Sequence, residues 1–591
     1  MEFLQNSCSV LRDRKRTQDP VAIAKWTHLN SSRTQKLSTF TATIVGLAPA
    51  KIASCRVLFF YTNAVVYLLF FYAFLAYNTN MHKILKYCKS KPIYIILAVL
   101  LQFLTLFLLV SYFSQRFFIV YYILIIFSLC VCMHIINRDS DSSSKLLWVL
   151  LIMSFPIFGG VVYLLLGNRK IPKALMIKDR QAYSDYKKYA LQNIEILSDL
   201  HEDDYVLDKM TSMAWTNGYF PVYDNCLLTY FPSGEEQYQA FIQELIKAED
   251  FIFMEFFIIN KGVMWNTILQ ILMDKAAMGV DVRVIYDDMG SLTYLPRDYA
   301  KCLNARGIKT HAFNPLRPQL AMAMNNRDHR KILVIDGKVA FTGGCNISDE
   351  YINTKKRFGH WKDMGCMIKG AGVEMFTISF LQIWNYQASE YTSYSRFIQN
   401  REVFSSLKNP GYIIPFSDSP TDENNTSLNM HLNMLGCAKD YCWITTPYLI
   451  LDAEMISSLK LAVSNGVDVR IVVPGIPDKK MVYEVTKGNF DTLIKAGVKI
   501  YEYTPGFIHG KVCIVDDSSA LVGTVNMDFR SYYQHYECGV WMHETACLTD
   551  IKNDFEEIFK VSHEVSLEEC VNTNPAVKVY RNILKVFSPI M

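Results

Sequence analysis

What this 591-residue sequence lacks narrows it first. None of its 15 cysteines stands in a CxxC pair, and Cys130 and Cys132 lie within apolar sequence, so neither a disulfide framework nor a zinc ribbon is indicated. His and Cys are not clustered at metal-ligand spacing, which argues against a zinc enzyme and for chemistry without a metal or other cofactor. An excess of one charge is missing too: the formal net charge is +4, too small to make nucleic acid the expected partner. The N-terminus lacks the small-residue cleavage site of a secretory signal. Residues 1–56 instead carry Arg12, Arg14, Lys15, Arg16, Lys25, Arg33, Lys36, Lys51 and Arg56 among many Ser and Thr, the composition of a disordered basic arm.

A polar stripe is absent from four apolar stretches, about 57–77, 93–113, 117–136 and 146–166, each near the roughly 20 residues that cross a bilayer as a helix. At least two are expected to span, which makes 57–167 a multi-pass transmembrane region. Arg169, Lys170 and Lys173 follow the last stretch and place the rest of the chain on the cytoplasmic side of the cell membrane, while Lys83, Lys86, Lys89 and Lys91 pull the other way if every stretch spans. Met81 precedes a basic segment and then an apolar run, so residues 1–80 read as an extension the function does not need. Residues 168–218, polar and of mixed charge, read as a helical connector.

What is present after residue 218 is an α/β pattern that occurs twice. Phe251 to Ile259 is a buried-strand run, followed by a helix near 264–278, a strand from Val280 to Tyr286, a helix ended by Gly307 and a strand from Ile308 to Phe313. The later part repeats the order: a helix near 427–439, strand Tyr441–Thr446, a helix near 453–464, strand Val467–Val473, a helix near 481–495 and strand Val498–Tyr503. Gly-Val-Asp-Val-Arg occurs verbatim at 279–283 and 466–470. This is an internal duplication, with one unit over 219–395 and the other over 396–591.

Each unit then delivers the same motif, HxK followed by four residues and Asp: His329, Lys331, Asp336 and His509, Lys511, Asp516. The apolar run after each Lys reads as a strand, so His and Lys point the same way. The Asp falls in the turn, and the returning strand ends in a small-residue loop carrying Asn346 or Asn526. Two copies of one unit pack most simply about a pseudo-twofold axis, which brings the motifs face to face. Two imidazoles and two ammonium groups suit a phosphodiester: one imidazole attacks phosphorus, the other protonates the leaving alkoxide, and the lysines neutralise the non-bridging oxygens. A His that changes protonation state needs a carboxylate to fix its tautomer. Asp336 and Asp516 belong to the catalytic motif, yet five residues past each Lys they fit a loop-shaping role better. Asp287 and Asp288, at a strand end, read as caps of the next turn rather than a metal or acid pair. Pro315 to Met324 reads as a loop or a lipid-facing lip beside the first motif.

The paired motif resembles the phospholipase D superfamily. Asn326-Arg327-Asp328-His329, Thr342-Gly343-Gly344-Cys345-Asn346, Trp361-Lys362-Asp363, Thr446-Pro447-Tyr448 and Asn526-Met527-Asp528-Phe529-Arg530-Ser531 resemble bacterial cardiolipin synthases within it. That resemblance implies two tandem phospholipase D-like α/β/α sandwich units behind an N-terminal transmembrane helical region. It implies a two-step transfer in which one phosphatidylglycerol gives a phosphatidyl-histidine and glycerol, and a second phosphatidylglycerol takes the phosphatidyl group to form cardiolipin. By the same likeness His329 is the nucleophile, His509 the acid and then the base, Asn346 and Asn526 donors to the phosphoryl oxygens, and Asp363 and Glu537 the orienting carboxylates. A phospholipase D hydrolase, with water as acceptor, and a silent scaffold binding anionic lipid are the alternatives.

Overall fold

In a computed structural model, the described residues are 118–138, 141–167 and 205–590 less 316–325, 389, 408–409 and 422–423, with scattered positions between 104 and 196. The basic arm, the apolar stretch at 57–77 and the lip expected after Pro315 lie outside them.

Helices Phe118–Asn137, Ser142–Ser154 and Pro156–Val162 pack together, the second opened by Asp141, whose carboxylate accepts from Ser144 N at 2.6 Å. Trp148 and Tyr163 meet edge to face at 5.2 Å in a small cluster with Val131, Ile135 and Ile152. Ile123, Ile126, Leu129, Met133, Leu146, Leu150 and Met153 are exposed. Among the described residues no helix is long and apolar enough to cross a membrane, so the multi-pass region expected over 57–167 is not shown.

From residue 226 the chain lays down β1 (Cys226–Phe231), β2 (Phe251–Phe256), β3 (Asp281–Asp287), β4 (Lys309–Phe313), β5 (Arg327–Asp328), β6 (Lys331–Ile335), β7 (Val339–Gly343), β8 (His360–Lys362) and β9 (Gly365–Gly370). It then lays down β10 (Tyr412–Asp418), β11 (Tyr441–Thr445), β12 (Leu449–Ile450), β13 (Asp468–Pro474), β14 (Lys499–Tyr503), β15 (Gly506–Ile508), β16 (Val512–Val515), β17 (Ser519–Gly523), β18 (Met527–Asp528), β19 (His535–His543) and β20 (Ser562–Glu564). One sheet runs β1-β9-β7-β6-β2-β3-β4 and the other β10-β19-β17-β16-β11-β13-β14-β20. The order is the same strand for strand until β20 adds an edge, which makes the duplication visible in the topology. The parallel trios β2-β3-β4 and β11-β13-β14 have helices as crossovers, and the motif strands β6 and β16 join them antiparallel.

The repeated Gly-Val-Asp-Val-Arg is a fold device. Gly279 and Gly466 take φ of 95° and 94° just after a helix, a conformation that costs glycine least. Two residues on, Asp281 and Asp468 each hold the Arg two further along the strand and a Lys from the next strand, Lys309 or Lys499, both at 2.8 Å. The Arg283 guanidinium lies over Trp384 and Phe397, and that of Arg470 over Trp443 and Phe559.

Helix Val373–Gln387 is buried at every position from Val373 to Trp384. Its Phe380 stacks on Phe253 of β2 at 4.4 Å, and it belongs to one apolar cluster that also contains Ile414, Phe416 and Trp541 of the later sheet. The two halves therefore share a core, and a site between them is held as rigidly as one within either.

Candidate active site

Two short ladders between the halves position the motifs. β5, which leads into His329, pairs in parallel with the start of β19, with Arg327 opposite His535 and Asp328 opposite Tyr536. β15, which leads into His509, pairs in parallel with β8, with Phe507 opposite Trp361 and Ile508 opposite Lys362. Each ladder continues by one bond: His329 N donates to Tyr536 O at 3.0 Å, and His509 N to Lys362 O at 2.7 Å. The residue after each acceptor is a carboxylate. Glu537 oxygens consequently lie 2.9 and 3.0 Å from His329 Nδ1, and Asp363 Oδ2 lies 2.7 Å from His509 Nδ1. Each imidazole is oriented by the opposite half; Nε2 is the nitrogen left for a reacting group on His329, while Nε2 of His509 has Lys511 Nζ beside it at 3.0 Å.

All these groups are buried. Lys331 Nζ donates to the His329 carbonyl, and Lys511 Nζ to the His509 carbonyl while lying 3.0 Å from both ring nitrogens of His509. Among the described residues neither ammonium has a carboxylate within ion-pair distance. Burial pulls the Lys331 ammonium down to about 8 and that of Lys511 to about 7, Lys331 adding its own repulsion to the latter. Two poorly compensated buried cations make a receptor for an anion. Burial, then Lys331, His535, Lys511 and His509, hold His329 well below the ordinary imidazole range, so both motifs act within one field. His509 is lowered to about 4 by burial and Lys511 against the opposing pull of Asp363.

The two carboxylates differ. Burial raises Glu537 to about 8 in spite of Lys331, whereas for Asp363 burial is outweighed by His509 and Lys511 and the carboxyl sits below its usual range. The loops behind them differ in the same sense. Thr524 donates to Glu537 Oε2 at 2.5 Å. At the corresponding place Gly344 approaches Asp363 so closely that a Cβ there would lie 2.0 Å from Oδ1.

The remaining expected site residues divide. Asn346 is tied into its loop, accepting from Ile258 N at 3.0 Å and donating to Tyr351 Oη at 2.7 Å. Asn526 is buried with Oδ1 unpartnered. Asp336 and Asp516 are not brought to the reacting groups, which corrects their grouping with the catalytic residues. Asp336 accepts from the backbone N of Glu249, Asp250 and Phe251 at 2.8 to 2.9 Å, and Asp516 from Lys439, Asp440 and Tyr441 at 2.7 to 2.9 Å. Five residues, about 16 Å of extended chain, separate each from its Lys, and each pins the turn of its motif hairpin to the start of the neighbouring strand, β2 or β11. Asp287 is likewise a cap, accepting from Met289 and Gly290 N at 2.8 and 2.9 Å and from Asp328 N at 3.2 Å.

Several site residues were given no role by the sequence, although Trp361 stands in one of its motifs. Trp361, Phe507 and Tyr351 enclose His509, with ring centroids 5.5, 5.8 and 5.4 Å away. Phe257 and His535 flank His329 at 5.1 and 5.5 Å. His535 is signalled by alternation alone, since it precedes Glu537 by two on a strand and shares its face. Together His329, His535 and Glu537 bring ligand atoms within 4.8 Å of one another, close enough to hold a metal ion. Arg530, Lys331, Arg327 and Lys479 all depress His535 after burial, and such a field repels a cation.

Comparison with known proteins points the same way as the geometry. The chain matches the family described as "Cardiolipin synthase, PLD-like domain" over residues 241–377 and 432–559, and the family described as "Phospholipase_D-nuclease N-terminal" over 123–168. An "Uncharacterized protein" of Streptococcus mutans is 44% identical over 463 residues, covering 78% of this chain and 99% of that one. "Cardiolipin synthase 2" of Bacillus anthracis is 32% identical over 77% of this chain and 88% of its own length. "Cardiolipin synthase" of Staphylococcus aureus is 32% identical over 75% of this chain and 90% of its own.

Proposed function

The chain belongs to the cardiolipin synthase family of phospholipase D-like proteins, and from that premise we propose that it transfers a phosphatidyl group from one phosphatidylglycerol to another, giving cardiolipin and glycerol. The observation that carries the reading is the crossed pairing of His329 with Glu537 and His509 with Asp363, around two buried lysines.

In this reading His329 Nε2 attacks phosphorus, the P–O bond to glycerol breaks, and His509 delivers the proton that glycerol carries away. Asp363, held ionised, stabilises the His509 imidazolium that this step requires. Lys331 and Lys511 receive the non-bridging oxygens, with Asn526 beside them. In the second step the hydroxyl of another phosphatidylglycerol gives its proton to His509, its oxygen bonds phosphorus, and the N–P bond breaks. Residues 219–395 and 396–591 each supply one sheet and one motif to the site, and 168–218 connects them to the helical region.

The protein acts at the cell membrane, with its catalytic halves on the cytoplasmic side. Exposed Ile123, Ile126, Leu129, Leu146, Leu150 and Met153 supply an apolar surface suited to lipid. The test is incubation of the purified protein with labelled phosphatidylglycerol in the absence of divalent metal. Cardiolipin and glycerol in equal amounts are the expected products, and phosphatidic acid alone would make the protein a hydrolase instead.

A further inference from the structure

The two sides of the pseudo-twofold site are unlike at one pair of ladder positions. On the β15–β8 side the facing residues are Phe507 and Trp361, whose rings pack at 4.8 Å and close off His509 with apolar surface. On the β5–β19 side the residues at the same two places are Arg327 and His535. Strand alternation sets Arg327 on the face of His329 and His535 on the face of Glu537, so this polar pair lies beside the reacting imidazole.

Both side chains have buried nitrogens without a hydrogen-bond partner. His535 is 8% exposed and both ring nitrogens lack a hydrogen-bond partner, its nearest carboxylate oxygen being Glu537 Oε1 at 3.8 Å. Arg327 is 1% exposed, and its Nε and Nη2 are unpartnered, while Nη1 donates to Asn314 O at 2.8 Å. Asp287 stands 3.6 Å from that Nη1 but is committed to three backbone N–H groups. The guanidinium thus keeps one ion pair and one hydrogen bond, both through Nη1, and leaving its buried Nε and Nη2 and a buried imidazole without hydrogen-bond partners is costly unless a ligand completes them. Arg327 offers a fixed pair of donors of the geometry that binds phosphate bidentately. The positive surroundings set out above turn away a metal ion and favour an anion.

Phosphatidyl transfer between two anionic lipids brings two phosphodiesters to one site, and Lys331 with Lys511 accounts for only one of them. We propose that Arg327 and His535 form a second anion subsite, which seats the phosphodiester of the acceptor lipid so that its hydroxyl reaches the phosphohistidine ahead of water. This rests on the transfer reading above. It explains why the pair lies on one side only, since a donor and an acceptor need different seats. Turnover then forms the bond from the acceptor hydroxyl oxygen to phosphorus, breaks the N–P bond, and passes the hydroxyl proton to His509.

The test compares two acceptors with the full-length protein in phosphatidylglycerol vesicles. Cardiolipin formation uses a charged acceptor, and exchange of labelled glycerol into phosphatidylglycerol uses an uncharged one. R327Q and H535F, the second keeping the ring volume, are each expected to lower the ratio of cardiolipin formed to glycerol exchanged at least tenfold and to raise the share of phosphatidic acid. Equal loss of both activities, or an unchanged ratio, would overturn the subsite while leaving the transfer reading in place. A ratio that differs from wild type only after inorganic phosphate is added would assign the pair to free phosphate and overturn the lipid assignment. Wild-type protein that makes only phosphatidic acid would overturn the transfer reading itself.

Discussion

Glu537 lies 2.9 Å from Nδ1 of His329, a residue 208 positions earlier in the chain. Its burial raises it to about 8, so near neutral pH the pair holds a proton that the Asp363–His509 pair does not. Loss of that proton lets Glu537 accept from Nδ1–H and frees Nε2 to attack. The rate constant for turnover is therefore expected to rise as pH rises through about 8. E537Q should lose this limb and at least a hundredfold in kcat, whereas D363N should lose rate and keep the limb. A pH–rate profile of the three proteins decides it, and an unchanged limb in E537Q would remove Glu537 from the titration.

Removing either imidazole should abolish turnover. H329A and H509A are each expected to fall by about a thousandfold or more in labelled cardiolipin formed, because attack and proton delivery are separate tasks. Near-normal rate in either variant would strike that residue from the mechanism.

The lysines make anion binding pH-dependent. Free Lys331 and Lys511 carry full charge only below about 8 and about 7, and a bound phosphate restores their protons. Binding should take up protons near pH 8, and affinity should weaken with rising pH above about 7, by about tenfold per unit for each lysine that titrates. Calorimetry of inorganic phosphate binding in buffers of different ionisation enthalpy measures the uptake. Affinity that is flat from pH 6 to 9 would contradict it.

Asp336 and Asp516 serve stability. D336A leaves three backbone N–H groups without their carboxylate and is expected to cost about 1–3 kcal/mol in unfolding free energy, with kcat close to wild type in the protein that remains folded. Denaturant unfolding together with the turnover assay separates the two effects. A hundredfold loss of kcat at unchanged stability would return Asp336 to the chemistry.

Gly344 is expected to tolerate no side chain. In G344A the new Cβ meets Asp363 Oδ1, and the displaced carboxylate no longer orients His509. Activity should fall by about a hundredfold, with thermal stability little changed. Wild-type activity in G344A would show that the approach can relax.

The sequence by itself determined the duplication, the HxK pairs each leading into an apolar strand and the alternation of helices and strands, because these rest on local spacing and on period-two or helical patterning that neighbours in the chain impose. It could not disclose that helix Val373–Gln387 lies in the shared core, since a helix buried on every side, polar Glu374, Thr377, Ser379 and Gln382 included, shows no single apolar stripe to say what it faces. Nor could it show that Asp336 answers to Phe251, or that Arg327 and His535 stand opposite each other where Phe507 and Trp361 stand on the other side. Those pairings belong to tertiary structure alone. Ladder register between strands 146 and 208 residues apart is set by how the two sheets pack on their common core, and no local preference of either segment encodes it.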